Sequence, residues 1–401
     1  MSLSMRELFL RHVALPANPG NALEITKAKG IYLYTAKGKE YIDLVSGVSV
    51  SNLGHGHPKV IGAVQEQAEK YMHLMVYGKY IETPQVELAR LMAEHLPDQL
   101  QQVFFVNSGS EAVEGALKLA KRFTGRTGLV AFKNAYHGST QGALSVLGSE
   151  EMKYAYRPLL PDIRHLRFGR LEDLQQITEK TAGVIVEPVQ AEAGIIIPKK
   201  EYMQALRQRC SATGVLLIFD EVQMGFGRTG RLFAFEHFGV VPDILCLAKA
   251  MGAGMPIGAF VSSKEIMQTL THHPVLGHIT TFGGHPVSAA AAIAGLKILL
   301  EENLPGQARQ KGKLFVELLS GHPLVKEIRQ MGLMLGVELQ SDEQVARLVD
   351  IFLEAGIVVD RFLFNDKSFR IAPPLTITEE EIHKVSEKII TCLNQLKDEI
   401  H

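Results

Sequence analysis

Six short apolar runs alternate with helical patterns between about residues 51 and 300, and this alternation limits the folds open to the chain. The runs are QQVFFVNSG, TGLVAFKNAY, TAGVIVEPVQ, GVLLIFDEVQ, PDILCLAK and IGAFVSS. Helical patterns such as EAVEGALKLAKRFTG and KEYMQALRQRCSATG lie between them. Apolar strands that alternate with helices predict an α/β fold with a mostly parallel sheet covered on both faces. Ligands of such sheets bind outside the carboxyl ends of the strands.

The regions on either side have a different pattern. Residues 1–50 hold short β-type runs with a hairpin tip at 37–39, and the chain after about residue 300 alternates helices with the runs GLMLGVELQ and IVVDRFL before a final helix from Thr378. We therefore predict three parts: an N-terminal segment at 1–50 that belongs to a small domain, a large domain at 51–300 and an α+β small domain at 301–401. The run VSAAAAIAGLKILL falls short of the roughly 20 residues of a membrane span and predicts a buried helix.

Composition points to small-molecule chemistry. The net charge is −1 and no run of like charge occurs, so we expect neither a nucleic-acid nor a membrane partner. The three cysteines lack paired spacing, which fits a reducing cytoplasm, and charges interrupt the N-terminal apolar residues, which argues against a signal peptide. The pairs His55/His57 and His272/His273 lack the spacing and companions of metal ligands, so no metal site is predicted.

Lys249 and Asp220 each follow an apolar strand run, and they are the main candidates for catalysis. A lysine that enters a loop of small residues has room beside it for a flat aldehyde cofactor, with which its amine can form an imine. A carboxylate at the neighbouring strand end can pair with a protonated pyridine nitrogen, so the two residues suit pyridoxal phosphate. The alternative is a solvated lysine at a helix start beside an ordinary acidic strand end.

Other strand ends offer polar groups that such a cofactor needs. Ser108, Gly109 and Ser110 stand between a strand and a helix, where backbone N–H groups and the helix dipole favour a phosphate. The alternative is a plain helix cap, with Ser110 as the N-cap. Tyr136 follows the next strand and could stack on a flat ring, although ordinary core packing explains it as well.

A second carboxylate, Glu187, ends the run VIVEPVQ and is expected to be buried. A buried carboxylate needs a partner, and Arg370 in SFRIAPPL is the partner that we expect. The pattern G-x-G-x-x-G from Gly225 to Gly230 is not a dinucleotide fingerprint, because Asp220 and Glu221 would repel a pyrophosphate and no long helix follows.

The chain resembles the class III aminotransferases, which are pyridoxal-phosphate enzymes of fold type I, in motifs along nearly its whole length. The motifs are NSGSEAVEGALK, YHG, VEPVQAEAG, DEVQMGFGRTG, PDILCLAKAMGAGMPIGA, TTFGGHP and RIAPPL. The resemblance implies that Lys249 holds the cofactor and shuttles the proton, that Asp220 pairs with the pyridinium and that Gln223 contacts the ring hydroxyl. It also implies a homodimer in which Thr281 completes the phosphate site of the other subunit. The implied cofactor-contacting positions are Ser108, Gly109, Ser110, Tyr136, His137, Asp220, Gln223, Lys249 and Thr281.

The resemblance further implies a transaminase that takes a terminal amino group from an ornithine-, acetylornithine- or 4-aminobutyrate-like donor and passes it to 2-oxoglutarate. Glu187 would release Arg370 to bind the oxo acid in the second half-reaction. Three positions depart from the family pattern: Ser139 stands for an arginine that holds a donor carboxylate, Val48 for a tyrosine of ornithine enzymes, and His285 for an asparagine. An aminomutase or decarboxylase of the same fold is the alternative, and a non-catalytic cofactor-binding protein is a further one.

Overall fold

A computed structural model describes residues 3–18, 20 and 22–400. The strands are β1 (Ile25–Lys29), β2 (Tyr32–Thr35), β3 (Glu40–Asp43), β4 (Gln102–Val106), β5 (Gly128–Phe132), β6 (Ile163–Leu166), β7 (Thr181–Val186), β8 (Leu216–Asp220), β9 (Ile244–Leu247), β10 (Gly258–Ser262), β11 (Glu327–Gln330), β12 (Leu335–Glu338), β13 (Ile357–Val358), β14 (Arg361–Phe362) and β15 (Asn365–Ile371). Seven of them form the main sheet in the order β4-β10-β9-β8-β7-β5-β6.

The main sheet is mostly parallel, as the sequence predicts. Strands β9, β8, β7, β5 and β6 pair in parallel, and β10 is antiparallel to both of its neighbours, β4 and β9. Strand β4 therefore runs in the same direction as the parallel strands. All six predicted apolar runs form strands of this sheet, and β6 is the strand that the pattern of apolar runs does not indicate.

The helices cover both faces of this sheet. They are α1 (Met5–His12), α2 (Ser46–Ser49), α3 (Pro58–Lys70), α4 (Thr83–Ala93), α5 (Gly109–Thr124), α6 (Gln141–Val146), α7 (Lys200–Thr213), α8 (Lys264–Gln268), α9 (Pro286–Glu301), α10 (Leu304–Leu319), α11 (Asp342–Glu354) and α12 (Glu379–Ile400). The described residues also form five short 3₁₀ helices, at Tyr154–Tyr156, Leu171–Gln176, Ala234–His237, Lys249–Gly252 and Thr269–Thr271. None of the helices in the described part of the chain is both long and apolar enough to cross a bilayer.

Successive residues of the central strands point into two different cores. In β8, Leu217 and Phe219 join the larger core, whereas Leu216 and Ile218 join the smaller one. This alternation follows from the two-residue period of a strand that is covered on both faces. Helix α5 packs on the side of the smaller core, while α7 and the alanine-rich α9 supply residues of the larger core. The predicted buried helix in VSAAAAIAGLKILL is thus present as α9.

Two four-stranded sheets flank the main sheet. The first has the order β1-β2-β3-β13 and joins the N-terminal segment to the C-terminal region through the parallel pair β3 and β13. The second has the order β11-β12-β15-β14, and β15 carries Arg370. The predicted run IVVDRFL divides into β13 and β14 instead of forming one strand. The domain boundaries at residues 50 and 300 stay a prediction.

Candidate active site

Five parallel strands of the main sheet have their carboxyl ends on the same side, and the residues that follow them surround a cavity of about 440 Å³. The strands are β4, β5, β7, β8 and β9, whose carboxyl ends coincide because they run in the same direction. The cavity is lined by residues from each strand end, including Ser108, Gly109, Ser110, Tyr136, His137, Glu187, Glu192, Asp220, Gln223 and Lys249. A parallel sheet collects at this edge side chains that are far apart in sequence.

Lys249 lies two positions beyond the end of β9, where the backbone turns sharply. Its φ angle is +49°, a left-handed conformation that is uncommon for residues other than glycine and that occurs often at functional sites. Burial lowers the pKa of the Lys249 ammonium, while Glu192, Asp220 and Glu187 act in the opposite direction. The amine therefore loses its proton more easily than an exposed lysine does, which favours its use as a nucleophile and a base.

Asp220 ends β8 and is held by two hydrogen bonds. Its Oδ2 lies 2.7 Å from Nδ1 of the buried His137, and its Oδ1 accepts a bond of 3.0 Å from the N–H of Val222. Strands β8 and β9 pair in parallel, with Asp220 opposite Cys246, so Asp220 and Lys249 come from adjacent strands. The structure thus gives His137 a part in holding Asp220, which its presence in the YHG motif alone does not indicate.

The turn between β4 and α5 provides N–H groups at the cavity wall. Ser108 is the N-cap of α5, and its side chain accepts a hydrogen bond of 3.2 Å from the N–H of Glu111. The alternative with Ser110 as the N-cap is therefore wrong. Ser110 instead lies two positions later, where its hydroxyl accepts a bond of 3.4 Å from the N–H of Ser139. Gly109 packs so closely on Val222 that a Cβ would lie 2.7 Å from the valine Cγ1.

The Gly138→Ala variant is expected to weaken binding of the cofactor that the family resemblance implies. A Cβ at position 138 would lie 2.9 Å from Cβ and 3.1 Å from Cα of Ser110, and the φ angle of +123° suits only glycine. Bound phosphate requires this close packing on the turn at residues 108–110. Strain of about 2 kcal/mol in that packing makes binding roughly thirty-fold weaker. Titration of the cofactor-free protein with pyridoxal phosphate measures the effect. Gly125→Ala is the control, because Gly125 also has a positive φ of +69° but has open space around it.

Glu187 does not pair with Arg370, so the expected partner is wrong. Its carboxylate accepts two backbone hydrogen bonds of 3.0 Å, from the N–H groups of Tyr136 and Ala191. Burial is the largest influence on this group and raises the pKa of Glu187 to about 7. The loop after β7 folds back on the carboxylate, which therefore fastens the loops that follow β5 and β7.

The Glu187→Gln variant is expected to change how stability depends on pH. The folded protein holds this proton more tightly than the unfolded chain does, because the pKa rises from 4.5 to about 7. The wild type therefore loses stability as the pH rises through that range, and the variant does not. Between about pH 5 and about pH 8, the free energy of unfolding of the variant relative to that of the wild type should therefore rise by about 1 to 3 kcal/mol.

Urea unfolding at about pH 5 and about pH 8 measures this difference. Glu201→Gln, an exposed position in the first turn of α7, is the control and should show no such movement. A difference between Glu187→Gln and the wild type that is the same at both pH values would contradict the assignment.

Arg370 pairs with a different carboxylate, Glu192. The distance from Arg370 Nη2 to Glu192 Oε1 is 2.7 Å, and both side chains are almost fully buried. Glu192 also accepts hydrogen bonds from Gln223 Nε2 at 3.2 Å and from the N–H of Leu363 at 3.2 Å. The sequence offers a signal for Glu192 that the strand pattern misses: it is a lone acid in the apolar stretch AEAGIII, where a charge needs a partner.

Of the remaining expected site residues, Tyr136 lines the cavity, whereas Val48, Ser139 and Thr281 are not part of its described lining. Tyr136 places its hydroxyl 3.2 Å from Ser139 Oγ at the cavity rim. Val48 lies in α2, which is a single left-handed turn because its four residues, 46–49, all have positive φ angles, and Val50 just after it lines the cavity. Thr281 is outside the described lining of this cavity, and its hydroxyl lies 3.4 Å from Tyr77 OH.

The glycine pattern from Gly225 to Gly230 serves the protein interior. Arg228 within it is fully buried and donates hydrogen bonds to the carbonyls of Leu333 (2.9 Å) and Pro373 (2.6 Å). The segment forms turns rather than the start of a helix. It therefore ties the main sheet to the C-terminal region, in agreement with its rejection as a dinucleotide site.

The cavity fits pyridoxal phosphate on three observations. Asp220 is held in its lining by hydrogen bonds, Lys249, whose pKa is lowered by burial, enters from the adjacent strand, and the N-terminus of α5 opens onto the same space. Gln223 Oε1 is buried, and among the described residues it has no hydrogen-bond partner, so it can accept from a ring hydroxyl. An imine-forming lysine, a carboxylate for the pyridine nitrogen and a phosphate cradle define a pyridoxal-phosphate enzyme.

Comparison with known proteins agrees with this class. The family model described as aminotransferase class-III matches residues 15–393. An acetylornithine aminotransferase of Methanopyrus kandleri is 43% identical over 92% of this chain and 94% of its own length, and one of Methanocaldococcus jannaschii is 39% identical over 94% of each. A solved ornithine aminotransferase of Toxoplasma gondii, with partial occupancy of pyridoxal phosphate, superposes with a TM-score of 0.90, 32% identity and coverage of 98% and 94%.

The chain belongs to the class III aminotransferases. It is a transaminase that depends on pyridoxal phosphate and uses an amino donor and a 2-oxo acid. The predicted family, fold, cofactor and type of reaction are confirmed, and the aminomutase or decarboxylase alternative is not favoured.

Proposed function

We propose that the enzyme moves the terminal amino group of an acetylornithine-, ornithine- or 4-aminobutyrate-like donor to 2-oxoglutarate. The observation that carries the proposal is the buried Arg370, which faces Glu192 beside the lysine-containing cavity. A donor with a terminal amine carries no carboxylate on its reacting carbon, whereas a 2-oxo acid carries one and needs a cation to bind it. A guanidinium that can be covered by Glu192 and then uncovered serves both substrates at one site.

Lys249 is the group that moves the proton in this proposal. Its lowered pKa favours the neutral amine. A neutral amine next to the donor carbon can take a proton from that carbon and deliver it to the cofactor. Bound pyridoxal phosphate supplies the electron sink for the pair left at the donor carbon. Asp220, oriented by His137, would stabilise a protonated pyridine nitrogen of the bound cofactor.

The phosphate and the ring are held by groups of the cavity wall. Ser108, Gly109 and Ser110 offer N–H groups and hydroxyls to the phosphate at the start of α5. Tyr136 lies at the rim, where its ring can cover one face of the cofactor, and Val222 beside Gly109 can cover the other. Together they would exclude water from the reacting carbon.

The cavity has little positive charge with which to bind a donor carboxylate. Lys249 is the single lysine or arginine among the described residues that line the cavity, and Ser139 offers a hydroxyl rather than a guanidinium. A donor carboxylate would therefore be bound by hydroxyls and backbone groups, with Val48 and Val50 shaping the pocket nearby. The shape of this pocket then decides which of the three donors the enzyme prefers.

We further propose a homodimer in which Thr281 contributes to the phosphate site of the partner. Thr281 is exposed and stands next to Phe282, which is 54% exposed, and near the apolar Val275 and Leu276. The apolar Ile81 is 90% exposed as well, so apolar surface is available here for contact with a partner subunit. The three cysteines are buried and free, which supports the proposal that the enzyme works in the cytoplasm.

The experiment that tests the proposed function follows the two half-reactions separately. The protein with bound pyridoxal phosphate is mixed with N-acetylornithine, ornithine, 4-aminobutyrate or glutamate, and the cofactor absorbance is recorded. We expect a terminal-amine donor to convert the spectrum to the amine form and 2-oxoglutarate to restore it, with glutamate as the product. Conversion by glutamate alone, with no response to any terminal amine, would refute the proposed donor class.

A further inference from the structure

The guanidinium of Arg370 is only partly satisfied by Glu192. The Glu192 bond uses Nη2, while Nε and Nη1 are buried and have no hydrogen-bond partner in the described part of the protein. The ring of Phe362 lies under the guanidinium, 4.7 Å from ring centroid to Cζ. Such a cation retains the capacity for a second anion, because a guanidinium carries five N–H donors in a fixed plane.

A second carboxylate, that of Asp360, stands next to the unused side of the guanidinium. Its Oδ1 lies 3.6 Å from Arg370 Nε, and this oxygen is itself buried without a hydrogen-bond partner among the described residues. The backbone fixes the two residues together, because the carbonyl of Asp360 accepts a hydrogen bond of 2.9 Å from the N–H of Arg370. A small side-chain rotation would complete the contact between Oδ1 and Nε.

The charges around Asp360 support an ionised carboxylate at neutral pH. Burial raises the pKa of Asp360 to about 6, Arg370 acts to lower it, and Glu192 acts to raise it. The cluster therefore holds two carboxylates around one guanidinium. Removing one partner of a buried ion pair is strongly unfavourable when the other charge is left alone. With Asp360 present, the positive charge of Arg370 still has a carboxylate partner when Glu192 moves away.

We propose that Asp360 is a positioning residue that holds Arg370 through Nε while Glu192 is displaced, so that Nη1 and Nη2 face the carboxylate of the 2-oxo acid. This inference rests on the proposed function, in which Arg370 binds the acceptor. It assigns Asp360 to the second half-reaction alone, since Glu192 covers Arg370 while the donor reacts. Asp360 raises the population of the state that can bind the acceptor, and the apparent affinity rises in proportion.

The test compares Asp360→Asn with the wild type, both loaded with pyridoxamine phosphate, the cofactor form that reacts with the oxo acid. Glutarate, a dicarboxylate without a reactive carbonyl, is the binding probe, and its Kd is measured by calorimetry. We expect the Kd for glutarate and the KM for the oxo-acid acceptor to rise about tenfold, because the state in which Glu192 has left Arg370 is less populated without the Asp360 carboxylate. The rate of the donor half-reaction and kcat at saturating acceptor are expected to stay within about twofold, which a general loss of structure would not allow.

Two further variants make the result specific. Asp366→Asn removes an exposed carboxylate from the same β14–β15 hairpin and should leave every value unchanged. Asp360→Glu keeps the charge on a longer side chain and should bind glutarate within about threefold of the wild type. It also gives an answer if Asp360→Asn does not fold, because a tenfold loss in Asp360→Glu would then overturn the proposal.

Unchanged or tighter glutarate binding in Asp360→Asn would overturn the role of Asp360, since it would show that the carboxylate is neutral for the acceptor or competes with it. Failure of the proposed function gives a different result. If the wild type transaminates no terminal amine to 2-oxoglutarate, that function is wrong, whereas the glutarate measurement still decides whether Asp360 prepares Arg370 for a carboxylate.

Discussion

The Lys249→Ala variant is expected to bind pyridoxal phosphate but to lose about 10⁴-fold or more in kcat, because it lacks both the nucleophile and the proton carrier. The phosphate cradle at the start of α5 and the Asp220–His137 pair do not depend on the lysine side chain. Binding of the cofactor should therefore weaken far less than turnover. Stopped-flow absorbance of the donor half-reaction and cofactor titration measure the two effects on the same protein.

An added small amine such as methylamine should restore part of the rate in Lys249→Ala, since it can carry the proton in the space that the side chain vacates. Lys264→Ala, at an exposed position at the start of α8, is the control and should react like the wild type. A variant at position 249 that keeps more than a tenth of the wild-type kcat would show that another group moves the proton.

The Asp220→Asn variant is expected to lose about 10³-fold in kcat, because a neutral amide no longer stabilises a protonated pyridine nitrogen in a buried site. The change also weakens the contact of 2.7 Å with His137, since an amide is a poorer acceptor than a carboxylate. Asn has almost the same shape as Asp, so the fold should persist. We expect the loss in kcat, with the KM for the donor much less affected.

Asp243→Asn provides a matched control at the opposite edge of the sheet. Asp243 also borders a central strand, where its carboxylate accepts bonds from the N–H of Leu217 at 2.7 Å and from Arg207 at 2.8 Å. Its substitution is expected to lower the stability of the protein and to leave kcat of the folded enzyme nearly unchanged. Similar losses of kcat in both variants would mean that Asp220 acts through the fold rather than on the cofactor.

The strand ends are the part of the site that the sequence can predict. Apolar runs mark β8 and β9, and a parallel sheet must bring the residues after them to one edge, so Asp220 and Lys249 are neighbours for topological reasons. The same logic covers Ser108 and Tyr136. The family resemblance then supplies the cofactor and the type of reaction, which the comparisons confirm.

The partner of Arg370 could not be predicted in this way, because loop geometry decides it. Glu187 and Glu192 are five residues apart, and both are acids in apolar surroundings. Two left-handed residues, Gly194 with φ +96° and Ile195 with φ +60°, turn the loop so that Glu192 meets Arg370. No periodicity in the sequence encodes such a turn. Strand β15 is not predicted for a related reason, since its first residues, NDK, are polar and largely exposed.

The central claim is that Lys249 is the residue that binds pyridoxal phosphate covalently, and borohydride reduction followed by peptide mapping tests it most directly. Reduction fixes an imine between the cofactor and a lysine as a stable secondary amine that mass spectrometry can locate. We predict the adduct on the peptide that contains Lys249, with none on this peptide after prior conversion by a donor. An adduct on a different lysine, or a reduced protein without any adduct, would contradict the account.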